Sequence, residues 1–192
     1  MKVRRFPLLA LGLAFFLAGC AWFGASPTNV AQNYLTAVQK FDPEESRKWT
    51  ESQDSTENSL LNPTDPTTTE MAKSLLTKMT FELGEENISG DKATVSAKIT
   101  TLDLGRIVAN SMKDLFSMAL AQAFANDPSA KQQNEAMAQR ILINAMNDPN
   151  APKTTSDVKI NLVKTKDGWK IATDNKDLFS ALTGRADQLF GP

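Results

Sequence analysis

The spacing of apolar residues changes abruptly along this chain, and each change dictates what can form there. It is helical from Val30 to Trp49 and again from Met71 to Met79, around a polar stretch, and drops to alternation from Phe81. It returns to helical after Asp103, alternates again from Val158, and ends helical from Leu178. A segment patterned every 3.6 residues buries one face only as a helix, and one patterned every second residue only as a strand. The chain is therefore expected to be α+β, with helices first, two strands, a helical pair, two more strands and a closing helix.

The details sharpen this reading. Val30, Tyr34, Ala37, Val38 and Phe41 give one apolar face to a helix over 29–41, which Asp42-Pro43 ends. Pro43 can open a short second helix through Trp49 as its first-turn residue. Residues 50–66, with Asn62-Pro63 and Asp65-Pro66, are expected to form a loop. Thr67-x-x-Glu70 has the form of a capping box ahead of Met71, Leu75, Leu76 and Met79.

Phe81, Leu83 and Ile88 lead to a turn at Ser89-Gly90-Asp91, after which Ala93, Val95, Ala97 and Ile99 alternate with Thr94, Ser96, Lys98 and Thr100. That is a hairpin with one buried face. Asp103 is placed to cap a helix carrying Leu104, Ile107, Val108, Leu115, Phe116, Ala119, Leu120 and Phe124. Asn126-Asp127-Pro128 separates it from a partner helix, 129–146, with Met137, Ile141 and Ala145 inward.

This helical hairpin, 104–147, is expected to pack into the domain, because a stripe of that length is costly to leave in water. Left exposed in a monomer, it would mark a partner or lipid site and put a binder of a small apolar molecule or lipid ahead of a plain interaction module. Val158, Ile160 and Leu162, then Trp169 and Ile171, flank a Lys166-Asp167-Gly168 turn. Asp-Gly between two alternating runs is a strong hairpin signature. Trp169 is expected in the core beside Ile171. Asn175 caps a last helix with Leu178, Phe179 and Leu182, closed by Gly184.

Composition excludes several chemistries. The chain has no histidine and one cysteine, Cys20. Ser-His-Asp and Cys-His arrangements and the usual zinc sites are thereby excluded, as is an intrachain disulfide. No phosphate-cradling loop and no calcium loop pattern occurs, and no cofactor is implied. Asp103 and Tyr34 are the remaining candidates for catalysis, although capping explains Asp103 more simply. No internal repeat is visible.

The N-terminus carries Lys2, Arg4 and Arg5, then an apolar run of 13 residues from Phe6 to Ala18. Such a run is too short to span a bilayer, which needs about 20 residues, and has the form of a secretory leader. Its end, Leu17-Ala18-Gly19-Cys20, resembles the lipobox of bacterial lipoproteins. The resemblance implies diacylglyceryl transfer to the Cys20 sulfur and cleavage after Gly19. Leu17, Ala18 and Gly19 would be what the peptidase recognises, and the new N-terminus would often be acylated as well. Two or three acyl chains hold firmly where one binds marginally, since each buried methylene contributes about 0.8 kcal/mol.

Ala21 follows the cysteine, which in a diderm organism implies the outer membrane. Residues 20–28 would then be a lipidated tether, with Trp22 and Phe23 either in the membrane interface or against the domain. Residues 29–192 would form a single domain. Without residues 1–19, which hold three of the 21 basic and none of the 22 acidic residues, 173 residues remain with a formal charge near −4. That balance argues against nucleic acid and against electrostatic docking on anionic lipid.

The order of elements, the aspartate after the first helix, the strand Asp167-Gly168-Trp169-Lys170-Ile171 and the terminal helix ending at Gly184 resemble the nuclear transport factor two-like (cystatin-like) superfamily. Small lipoproteins of that fold are the narrower likeness. The resemblance implies helices on a curved antiparallel sheet of about four strands, with the hairpin 104–147 as an insertion that can fill the cone between sheet and helices. Three functions compete. The first is a membrane-anchored, non-catalytic binding or interaction module of the cell envelope, with an envelope protein as partner. The second is a binder of a small apolar molecule or lipid, using Met112, Phe116, Met118, Phe124, Met137 and Met146. The third is an enzyme of unknown reaction.

Overall fold

The computed structural model describes residues 24–52, 61, 63–123 and 128–186, with backbone alone over 121–123 and 128–132. Helix α1 (Pro27–Gln39) starts where the Ser26 hydroxyl accepts the Asn29 N–H, with Pro27 in the first turn. Its buried face is the one that periodicity marks: Val30, Tyr34, Ala37 and Val38, joined by Ala31 and Leu35. Helix α2 (Pro43–Arg47) is capped by Asp42 and is shorter than the expected run to Trp49. There the Lys48 ammonium, and after it the Trp49 indole N–H, hold the Glu45 carboxyl below the usual carboxylate range.

Helix α3 (Pro66–Leu76) corrects one expectation. The cap is Asp65, whose carboxylate accepts the Thr68 N–H at 2.8 Å and the Thr68 hydroxyl at 2.5 Å, and not Thr67 with Glu70. Pro66 decides between the two starts, because its fixed φ and missing N–H suit the first helical position.

Four strands form one antiparallel sheet in sequence order: β1 (Thr80–Ser89), β2 (Lys92–Leu102), β3 (Lys153–Thr165) and β4 (Gly168–Ile171). Ala93, Val95, Ala97 and Ile99 are buried, as are Val158, Ile160 and Leu162, and the register pairs Ala93 with Leu162, Val95 with Ile160 and Ala97 with Val158. The first strand carries a bulge between Leu83 and Glu86. Phe81 and Leu83 lie opposite Ile99 and Ala97, whereas beyond the bulge Glu86 and Ile88 lie opposite Val95 and Ala93. The extra residue re-aims the strand's end. Glu86 then accepts the Thr28 N–H at 2.8 Å and the Thr28 hydroxyl at 2.6 Å, which fastens the start of α1 to β1.

One face of the sheet is covered. Helix α1 lies along β1, β2 and β4, and the last helix, α6 (Lys176–Leu182), lies on β2 and β3. Val30, Tyr34, Leu35 and Val38 meet Val95, Ile99, Ile160 and Ile171, and Leu178, Ala181 and Leu182 complete the same core. Trp169 shares the face of Ile171 but is only half-buried, which corrects its expected place in the core. It sits where the sheet ends, with the Lys164 ammonium 5.9 Å from its ring centroid. Asn175 occupies the expected position before α6 through its carbonyl, which accepts the Phe179 N–H. Its side chain does not cap the helix. It accepts the Asn161 N–H and donates to the Asn161 and Ala172 carbonyls, which pins the helix start to β3.

The two ends of the sheet differ. The β1–β2 and β3–β4 turns share one end, joined by the Lys164 N–H to the Asp91 carbonyl, and α1 begins there. The opposite end holds Leu102 and Lys153, from which helices α4 (Leu104–Ala123) and α5 (Pro128–Asn147) depart.

Candidate interaction surface

The base of the α4–α5 hairpin is built firmly. Asp103 ends β2, its N–H reaching the Pro152 carbonyl, while its carboxylate accepts the Arg106 N–H at 2.9 Å and lies 3.4 Å from the Arg106 guanidinium. This is the capping role that the sequence suggests for Asp103. Leu102, Ile107 and Met146 are buried with Leu75 of α3, and Met71, Leu104, Leu142 and Ala145 close around them. The Lys78 ammonium donates to the Met146 carbonyl at 2.6 Å, supplying a cation to the last turn of α5. Helix α5 lies against α3 at this level, and α4 lies against α5.

Farther out the packing stops. Met112 is 54% exposed, Phe116 66%, Leu120 50% and, on α5, Met137 57%. The expectation that the hairpin is packed throughout holds only near its base. Phe116 and Leu120, and Met137 as an inward residue, are corrected to solvent-facing, while Phe124 lies outside the described residues. The physical reason is that α4 carries two apolar faces. Ile107 and Ser111 are buried on one, with Leu104, Leu115 and Met118 half-covered beside them. Ala109, Met112, Phe116, Ala119 and Leu120 make the second, which nothing in the described domain covers. A helix apolar on more than one side normally lies deep within a larger structure. The signal was present in the sequence, because the apolar residues of 104–120 span more than one helical stripe.

The other candidates resolve differently. Tyr34 is 1% exposed in the main core, whereas Asp103 caps α4 beside the second cluster of Leu75, Leu102, Ile107 and Met146. An open depression of about 450 Å³ lies at mid-sheet around Leu83, Ala97 and Val158, rimmed by Lys98, Asp157 and Asp177. Lys98 and Asp157 are exposed and paired with each other at 3.1 Å, and Glu82, Lys159 and Asp177 add further charge around the depression. Among the described residues no group of three or more histidine, cysteine or acidic side chains is placed to hold a metal, and no helix is long and apolar enough to cross a membrane. Leu17, Ala18, Gly19 and Cys20 lie outside the described residues, as do Trp22 and Phe23.

No known family profile matches the chain, and no curated protein matches it. Among solved structures it is similar to ycdA, a candidate lipoprotein from Bacillus subtilis, at 12% identity and a TM-score of 0.45. The alignment covers 84% of this chain and 48% of the other, so the chain spans about half the length of that protein. A likeness at this level assigns neither partner nor activity.

Proposed function

We propose that the chain is a lipoprotein of the cell envelope, anchored through Cys20 on the extracytoplasmic side of a membrane. In this reading it acts without catalysis, binding another protein through the outer part of the α4–α5 arm. The observation that carries the reading is the uncovered stripe Met112, Phe116 and Leu120 on a helix whose base is rigidly packed. Exposed apolar patches of this kind mark interaction sites in soluble domains. The helix-first order, the four-strand meander and the terminal helix support a domain of the nuclear transport factor two-like kind.

The alternative places a small apolar molecule or lipid between sheet and helices. Val30, Tyr34 and Val38 pack on Val95, Ile99 and Ile160 in that space, which leaves the open depression around Leu83, Ala97 and Val158 as the place for such a ligand. Asp103 and Tyr34 have structural duties, which weighs against an enzyme.

Two measurements test the reading. The intact mass of the membrane form should exceed that of residues 20–192 by at least a diacylglyceryl group, and Cys20→Ser should remain uncleaved or unlipidated. Unmodified Cys20 in detergent-free soluble material from the native host would overturn the anchor. A photo-crosslinker at position 116 in intact cells should join the chain to protein. Adducts with lipid alone would move the assignment to the apolar-ligand alternative.

A further inference from the structure

We infer that the partner of the arm is a second copy of this chain, with the two α4 stripes packed against each other about a two-fold axis near Phe116. This deepens the interaction-module reading and rests on it. At 100° per residue, Ala109, Met112, Phe116, Ala119 and Leu120 fall within about 100° of the helix circumference, the width of a stripe that one other helix can cover.

Size fits a pair. At half to two-thirds exposure for the three large side chains, with the two exposed alanines, the stripe presents on the order of 400 Å² of apolar surface. Interfaces are a little over half apolar, so this corresponds to about 700 Å² per partner, near the roughly 800 Å² of a standard interface.

Charge fits as well. None of the five positions is charged, so two identical stripes meet without like-charge contact. Lys113 lies on one border. In an antiparallel crossing centred on Phe116 it falls beside Ala119 and Leu120 of the other copy, away from its own symmetry mate. A charge-free helical stripe matches its own copy without any complementary surface having to exist elsewhere. Anchoring adds to this, since copies held in one plane meet at a raised effective concentration. The arm leaves the sheet at the end away from α1's start, clear of the proposed anchor.

Single-cysteine variants of the full chain test the pairing in intact cells, because Cys20, the only native cysteine, is consumed by lipid. Phe116→Cys should form a disulfide-linked species of twice the protomer mass, and Ser89→Cys, at the opposite end of the sheet, should not. Adding Leu120→Glu and Met112→Glu should lower the Phe116→Cys dimer by more than about tenfold, the effect of roughly 1.4 kcal/mol. Circular dichroism of the triple variant confirms that the domain remains folded. Equal dimer yields from positions 89 and 116, or no dimer from 116, overturn self-pairing. A thiol-attached photo-crosslinker at position 116 of the Phe116→Cys variant, which inserts into any neighbouring chain, separates the outcomes. A 116-linked product of another mass overturns self-pairing and keeps the interaction module, whereas no protein product overturns both.

Discussion

Gly184 stands where the end of α6 meets the end of β2, buried and with φ +60°. A Cβ there would collide with the Leu102 carbonyl oxygen and touch the Leu104 side chain. Backbone sign and space thus both demand glycine. Gly184→Ala is expected to cost more than about 2 kcal/mol in chemical denaturation, since strain and clash add. A loss under about 0.5 kcal/mol would show that the loop yields.

Asp65 offers a second check. Hydrogen bonds from the Thr68 hydroxyl and N–H hold its carboxyl below the ordinary aspartate value. A depressed acid stabilises the fold above its unfolded pKa, and that contribution disappears as pH falls through the folded value. The difference in Tm between the native chain and Asp65→Ala should therefore be steady from about pH 7 to 5 and shrink below about pH 4. A difference that grows on acidification would contradict the assigned cap.

Periodicity made most of the elements legible. The two alternating runs 93–99 and 158–162 became the central strands with their apolar residues inward, and Asp103 became the cap at the start of α4. The first strand was harder to read, because its apolar positions move from odd numbers, Phe81 and Leu83, to an even one, Ile88. That parity change is the bulge. Ile88 shares the core-side register yet is 53% exposed, because it lies near the sheet end where α1 begins.

The arm was legible as two helices and misread in its packing, for a physical reason. Periodicity reports that a face is apolar and is silent on whether the domain has surface to spare for it. Here α1 and the short closing helix α6 already pack on that face of the sheet, and the hairpin's base packs on α3 and the end of β2. Ile107 and Phe116, on the same helix, should accordingly respond differently. Ile107→Ala removes a side chain that is 2% exposed and should cost about 2–4 kcal/mol, whereas Phe116→Ser should change stability by under about 0.5 kcal/mol. Urea denaturation of the two variants at low protein concentration makes the comparison, and a large cost at Phe116 would place that ring in a packed interior.

The arrangement as a whole follows from where the chain enters and where the arm leaves. The Thr28–Glu86 bonds place the start of α1 beside the two β-turns, so the proposed tether to Cys20 would attach at that end. From Cys20 to Pro27 the chain spans at most about 25 Å. Strand β2, with 11 residues, then carries the fold about 36 Å to the opposite end, where α4 begins. With the proposed anchor in place, the turns at Ser89–Asp91 are expected to lie nearer the bilayer than the arm. If the proposed cleavage removes residues 1–19, the formal charge near −4 of the remainder further resists lying flat on an anionic surface. Energy transfer to an acceptor in the lipid headgroups reads this directly. A donor at Ser89→Cys should be quenched strongly and one at Met112→Cys weakly, in vesicles carrying the lipidated protein at low surface density. Stronger quenching from position 112 would mean that the apolar stripe rests on the membrane itself, and the arm would then be a second lipid contact in place of a protein-binding surface.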